Sequence, residues 1–339
     1  MLRHAIIAVV GLAVVFGVTG STSSYQDFQI SQIGAYLMAI AGLTLLTGLN
    51  GQISLGHGAL MMVGAYTLGL LEIHTGLPLA ADLAVATGAA SLAGVVIGLG
   101  AARLRGPYLA GATLALAVGL PELPFRWPHT LGGDTGLTVN PPAAPSFLGA
   151  SFSSQEWLAW VSWICVAITL VVVANIMKSR YGRVLRAVRD DETAASLSGI
   201  SVPRTQVLAF VVSSGCAGLG GAVFALGTGI VNPTGFPLTL SVALLTGMVV
   251  GGLGSLLGAL WGAILVVYLP QWSQSLSDSM HLTKAVSSNL AFGFYGVVLV
   301  VAMLVFPGGI QGGFRRAVDG VRARRARRPV TATGVAGTQ

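Results

Sequence analysis

The side chains able to do chemistry are few in this sequence, and they gather in three stretches. The first is Gly48-Leu-Asn-Gly-Gln-Ile-Ser-Leu-Gly-His-Gly58, a polar island in an apolar chain. Read as a helix, it sets Asn50, Ser54 and His57 on one face at i, i+4 and i+7, with Gln52 in the same stretch. Gly48, Gly51, Gly56 and Gly58 let a neighbouring backbone come close, or break the helix. Amides, a hydroxyl and an imidazole suit a tightly packed helix junction first, and the polar lining of a path as the alternative.

The second stretch is basic and runs from Lys178 to Arg204. It carries Arg183, Arg186 and Arg189, then Glu192, Ala194, Ala195, Gly199 and Pro203. Val184, Leu185, Val188, Ala195 and Leu197 give a partly amphipathic helical pattern. Asp190, Asp191 and Glu192 favour the start of a second short helix over Thr193 to Ser198. Gly199 ends it, and Pro203 opens the next segment. Such a helix lying across a membrane face is a rigid handle on which a soluble partner can push. The third stretch, 126–156, has Gly132, Gly133 and Gly136, which suggest a tight, specific backbone.

Other chemistries find no residues. No Ser/His/Asp set, paired carboxylates, CxxC or HExxH is apparent, and His4, His57, His74, His129 and His281 are scattered. Neither a catalytic centre nor a metal site is expected. Cys165 and Cys216 each sit inside an apolar run and read as small buried hydrophobes. Without a GxxxxGK[ST] loop, the chain is expected to bind no nucleotide in the P-loop manner and no cofactor of its own.

The elements that must position these stretches follow from composition. Of 339 residues, 54% are hydrophobic and only 9% charged, against roughly 25% charged in a soluble domain. Mean hydropathy is +0.80. A water-soluble enzyme and a disordered chain are both excluded. The reading is an all-α, polytopic membrane helix bundle, since a crossing needs about 20 mostly apolar residues and no ~10-residue alternation marks a barrel.

About ten transmembrane helices are expected, at 4–20, 31–49, 55–73, 79–101, 107–123, 157–177, 205–227, 237–253, 255–271 and 289–306. The third, eighth and ninth are short or adjoining, so broken or re-entrant segments are expected among them. With both termini cytoplasmic, every Lys and Arg except Arg126 and Lys284 falls on the inside, as positive-inside bias requires. Residues 1–310 then form the transmembrane domain, with an inner loop at 178–204 and an outer loop at 126–156. Residues 311–339 form a basic cytoplasmic tail. Its Arg322 to Arg328 run suits anionic lipid headgroups, and no nucleic acid is expected. A cleaved leader ending near Ser21 is the competing reading of the first span.

No carboxylate is placed near the midplane. Glu72, Asp82, Glu122 and Glu156 fall at outer ends, Asp27, Asp134 and Asp278 in outer loops, and the rest inside. An ion-driven carrier usually needs midplane acids or broken-helix ion sites. Energy is therefore expected from another subunit. Glycines at four-residue spacing, Gly247/Gly251 and Gly254/Gly258/Gly262, and the cluster Gly215, Gly218, Gly220 and Gly221, suit close helix packing.

Several of these blocks resemble a known family. Glu192-x-Ala-Ala-x-x-x-Gly199-Ile-x-x-Pro203 looks like the coupling-loop motif of ATP-binding-cassette importer permeases. The preceding Ser-Arg-x-Gly-Arg-x-Leu-Arg-Ala-Val-Arg from Ser179 is similar to the version in branched-chain amino acid permeases. Gly51-Gln-Ile-Ser-Leu-Gly-His-Gly58, Arg103-Leu-Arg-Gly-x-Tyr-Leu-Ala110, Gly132-Gly-x-x-Gly136-Leu, Ala209-Phe-Val-x-Ser213 and Gly251-Gly-Leu-Gly-Ser255 match in the family's order, and the set resembles the M-type subunit. The segment Pro121 to Pro145 departs from the pattern. The resemblance implies a multi-pass protein of the bacterial inner (plasma) membrane, not an enzyme itself. It implies an H-type permease partner, two ATP-binding subunits that use ATP, and an extracytoplasmic solute-binding protein. Relatives carry urea or short amides as well, so those solutes stay open, as does an ion-driven secondary carrier.

Overall fold

The computed structural model describes residues 2–19, 21, 23–104, 106–141, 144–145 and 153–279, with short pieces at 293, 296–297, 300–301 and 309–312. The tenth expected span and the basic tail lie almost wholly outside the described residues, as does the outer loop between 146 and 152.

Long apolar runs with few breakers become helices. In order these are α1 (Leu2–Thr19), α2 (Ser24–Leu43), which runs on through a π-helical turn (Thr44–Leu49), α3 (His57–His74), α4 (Leu79–Ala101) and α5 (Pro107–Gly119). The short α6 (Leu123–Arg126), α7 (Pro128–Leu131) and strand β1 (Leu137–Thr138) follow. Then come α8 (Ser154–Lys178), α9 (Arg180–Asp190), α10 (Glu192–Leu197), α11 (Val202–Thr228), strand β2 (Ile230–Val231), α12 (Leu238–Gly251) and α13 (Leu256–Ser279). Among the described residues, six stretches are long and apolar enough to cross a membrane: Ser24–Leu49, Leu79–Ala101, Tyr108–Arg126, Ser154–Lys178, Val202–Thr228 and Pro233–Gly251. They coincide with six of the expected spans. The first, third and ninth expected spans are also helical, as α1, α3 and α13.

One placement needs correction. Asp27 lies inside α2, in its first turn, and is buried rather than looped out. The helix starts early because Gln26 Oε1 accepts the Ser23 N–H at 3.1 Å, satisfying a donor at the open helix end.

α11 is the hub, packed against α4, α2 and α3. Its glycines make this possible. A Cβ at Gly220 would strike the Ala35 carbonyl on α2, one at Gly221 the Met61 carbonyl on α3, and one at Gly218 the Ala90 side chain on α4. Lipid is as apolar as leucine, so close backbone approach and its dispersion contacts hold such helices together. The same device joins α12 to α13, where Gly247 and Gly251 lie against Gly262 and Gly258. α8 is tied to α2 by polar contacts instead. Ser162 Oγ donates to the Ser31 carbonyl at 2.9 Å, and Trp163 Nε1 donates to the Ile30 carbonyl at 3.1 Å.

Burial sorts the bundle. The α2 span is 83% buried, whereas α4 is 28% and the α5–α6 span 22%. The outward side chains of α4 (Val85, Leu92, Val96 and Leu99) are apolar, as a lipid-facing surface requires.

Candidate functional site: an interrupted helix and its handle

The polar island breaks the helix. The π-helical turn ends at Leu49, Gly51 takes φ +76°, and regular structure resumes only at His57. Asn50, Ser54 and His57 therefore do not share one continuous helical face. A side chain at Gly51 would be strained whatever the space, so the glycine is what lets the chain turn.

Broken backbone at membrane depth must find partners inside the protein. Here hydroxyls supply them. Thr113 Oγ1 on α5 accepts the Leu55 N–H at 3.0 Å, and Ser241 Oγ on α12 accepts the Gly58 N–H at 3.0 Å. Thr47 Oγ1 donates to the Gln52 carbonyl at 2.8 Å. The His57 imidazole is fully buried, with Nε2 at 2.7 Å from Ser213 Oγ on α11 and Nδ1 at 3.2 Å from Ser54 Oγ. Ser54 and His57 are thus locked into the junction.

Asn50 and Gln52 differ from them. Asn50 is 3% exposed, and neither its Oδ1 nor its Nδ2 meets a partner among the described residues. Gln52 Oε1 is in the same condition. A dry, unpaired amide is costly, about 1–3 kcal/mol for each unsatisfied group. Such groups are few in a native fold, and each calls for a specific explanation.

The basic stretch folds as two short helices. Ser179 Oγ caps α9 by accepting the Tyr181 N–H at 3.1 Å. Asp191 Oδ1 caps α10, accepting from Thr193 N at 2.8 Å and Ala194 N at 3.0 Å. α10 starts one residue before the expected Thr193 and stops at Leu197. Gly199 follows at φ +81°, and Pro203 lies in the first turn of α11. Leu185, Val188 and Ala195 face inward, while Leu197 is 85% exposed. Glu192 Oε1 accepts from Gln206 Nε2 at 3.0 Å, fixing α10 to α11. Arg186 Nη2 donates to the Met177 carbonyl at 2.8 Å, and Arg189 Nη1 to the Gly48 carbonyl at 2.6 Å. Arg183 is exposed, as is Ala194.

The outer-loop glycines form a compact turn. Gly132, Gly133 and Gly136 all have positive φ (75°, 57° and 73°), and Gly136 N donates to the Gly132 carbonyl at 3.1 Å. The turn leads into β1, which pairs antiparallel with β2, Leu137 opposite Val231. Glu72 Oε1 accepts the Asn140 N–H at 2.8 Å. Among the described residues, no group of three or more His, Cys, Asp or Glu could hold a metal. Among the described residues, no hydrogen bond joins the outer turn at 132–136 to the stretch between Gly48 and His57.

Thr113 and Ser241 are site residues that sequence reasoning missed, and Ser213 was noticed only within a motif. The available signal was an isolated hydroxyl in an apolar run, since a buried hydroxyl needs a partner.

A bundle of long apolar helices around an interrupted, hydroxyl-braced segment is the architecture of a multi-pass membrane protein. The chain belongs to the family described as branched-chain amino acid transport system / permease component, whose model matches residues 27–305. It is 31% identical over 255 residues to the high-affinity branched-chain amino acid transport system permease protein LivM of Escherichia coli (strain K12), covering 68% of this chain and 60% of that relative's length. The chain therefore spans less than two thirds of that relative. It is 27% identical over 305 residues to LivH of the same strain, covering 82% of this chain and 91% of LivH. A shorter likeness, 34% over 142 residues, reaches the autoinducer 2 import system permease protein LsrC of Klebsiella pneumoniae, covering 38% of this chain and 39% of LsrC. No solved structure matches the chain.

Proposed function

We propose that this permease forms half of the translocation pore of an ATP-driven importer for branched-chain amino acids in a bacterial inner membrane. A second, H-type permease subunit completes the pore, two ATP-binding subunits engage α9 and α10, and an extracytoplasmic binding protein delivers the solute. The chain crosses the membrane about ten times with both termini in the cytoplasm, where the basic tail meets anionic lipid. The likeness to both LivM and LivH supports a paired permease, and the basic-residue map supports the orientation.

The observation that carries this reading is the α9–α10 projection. It is capped at each helix start, anchored inward by Leu185, Val188 and Ala195, and presents the apolar Leu197 outward. A rigid projection with an exposed apolar tip is shaped to receive force from a soluble subunit. ATP is consumed there by the partner; this chain contributes the lever and the path.

The path itself is neutral. Asn50 and Gln52 offer amide groups, and no Lys, Arg or acid is expected near the midplane. Amides pair with both ends of a zwitterion without holding either tightly, and weak binding permits exit. Affinity then resides in the binding protein, and direction in ATP hydrolysis. The turn at Gly132, Gly133 and Gly136 contacts the binding protein or closes the outer gate.

The test is uptake of radiolabelled leucine by proteoliposomes holding the four-subunit complex with its binding protein. Leucine accumulation that requires ATP on the α9–α10 side supports the reading. Accumulation driven by a proton or sodium gradient without ATP overturns it. Competition by unlabelled valine and isoleucine, against urea and acetamide, separates the amino acid importer from the amide-carrying alternative.

A further inference from the structure

We propose that Arg189 is a positioning residue that carries movement of α9 into the interrupted helix. The inference rests on the importer reading above and concerns how this chain transmits the push.

The geometry begins at the end of the π-helical turn, where the last carbonyls of a helix lose their regular partners. The following backbone fills three of them: Asn50 N–H donates to Leu45 and Thr47 carbonyls, Gly51 N–H to Thr47, and Gln52 N–H to Leu46. The Gly48 carbonyl instead takes the Arg189 guanidinium, at 2.6 Å, from a helix 141 residues away. A cation at a helix C-terminus is also favoured by the helix dipole. A charge-assisted bond of this length is strong and directional.

The arginine stem, otherwise exposed, lies against Gly51. A Cβ on Gly51 would lie 2.9 Å from Arg189 Cγ. On the far side, a Cβ on Gly48 would lie 2.7 Å from Gly254 N, so the turn is packed closely between the arginine and that backbone. An apolar weld flanks the bond, with Leu185 of α9 in one buried cluster with Leu45, Leu46, Leu49 and Phe210. Displacing α9 therefore drags the turn or breaks these contacts together.

What the turn carries is the unpaired amide of Asn50, two residues on from Gly48. Beyond it the segment is pinned at His57 to Ser213 and at Gly58 to Ser241. The stretch between Gly48 and His57 is thus held at one end by the lever and at the other by the bundle. Motion of the lever appears there, at the polar groups.

The test measures leucine moved per ATP hydrolysed by the complete reconstituted complex. The wild type is compared with Arg189→Ala, Arg189→Lys and Gly51→Ala. We expect Arg189→Ala to assemble, to hydrolyse ATP, and to lower the ratio on the order of tenfold. Lysine, which keeps the charge and one donor, should recover part of it. Gly51→Ala, which strains the turn and crowds the stem but leaves the charge, should lower the ratio as well. A ratio unchanged in Arg189→Ala overturns the proposal. So does a parallel loss of hydrolysis and uptake, or failure of both Arg189→Ala and Gly51→Ala to assemble, since each marks a packing tie only. A wild-type complex without ATP-dependent uptake overturns the importer reading instead, which keeps the two failures apart.

Discussion

His57 Nε2 and Ser213 Oγ meet at 2.7 Å, joining the first turn of α3 to the middle of α11 across 156 residues of sequence. Both groups are buried, and Ser54 Oγ completes the set on the other ring nitrogen. Replacing His57 with Ala strands the Ser213 hydroxyl, leaves Ser54 Oγ only the Gly56 N–H at 3.3 Å, and opens a cavity. The expected cost is about 1–3 kcal/mol for the stranded group, read as a lower unfolding temperature of the detergent-solubilised protein. A His57→Ala protein that melts with the wild type would mean the junction is held by other contacts.

Asn50→Ala should behave in the opposite way. No partner is lost among the described residues, so the unfolding temperature should hold or rise. Leucine uptake should fall roughly three- to tenfold, the worth of one hydrogen bond of about 1 kcal/mol. Normal uptake would remove Asn50 from the path.

Gly199 sits at φ +81° between α10 and α11 with open space around it. Valine fits the space but not the backbone, at a strain of roughly 1–3 kcal/mol. We expect Gly199→Val to insert and assemble while uncoupling ATP hydrolysis from uptake. The check is the ratio of the two rates, and a normal ratio would show that the angle between α10 and α11 is immaterial.

At the outer turn, a Cβ on Gly136 would strike the Val231 carbonyl and the Asn232 side chain. Gly136→Ala should therefore part β1 from β2 and reduce binding-protein-dependent uptake, while the purified complex keeps its subunits. Pull-down of the binding protein distinguishes a lost contact from a jammed gate. Unchanged uptake would set the turn aside.

The projection was legible in the sequence because its signals are local. Asp191, Gly199 and Pro203 act on their immediate neighbours, and α10 differs from expectation by one residue at each end. The interrupted helix was legible only as a choice between a polar face and a break. What decides it is the supply of hydroxyls from Thr113, Ser213 and Ser241, which lie far away in sequence. Asp27 was misplaced for a different reason. The apolar window opens near residue 31, and the capping Gln26 ahead of it extends the helix through polar residues. The contrast between His57, fully paired, and the Asn50 side chain, unpaired among the described residues, depends on tertiary neighbours that no spacing reveals.

The central place of α11 also bears on biosynthesis. Residues 202–228 leave the ribosome after α1 to α10 have been made. Until then the backbones of Ala35 and Met61 face a vacancy that only glycine-lined helix surface can fill closely. Before that, α2 has α8 and α3 has α4 to pack against, but Ser213 is not yet available to His57. Completion of α11 supplies these contacts, and the core closes only when α12 and α13 follow with Ser241, Leu244 and Ala263.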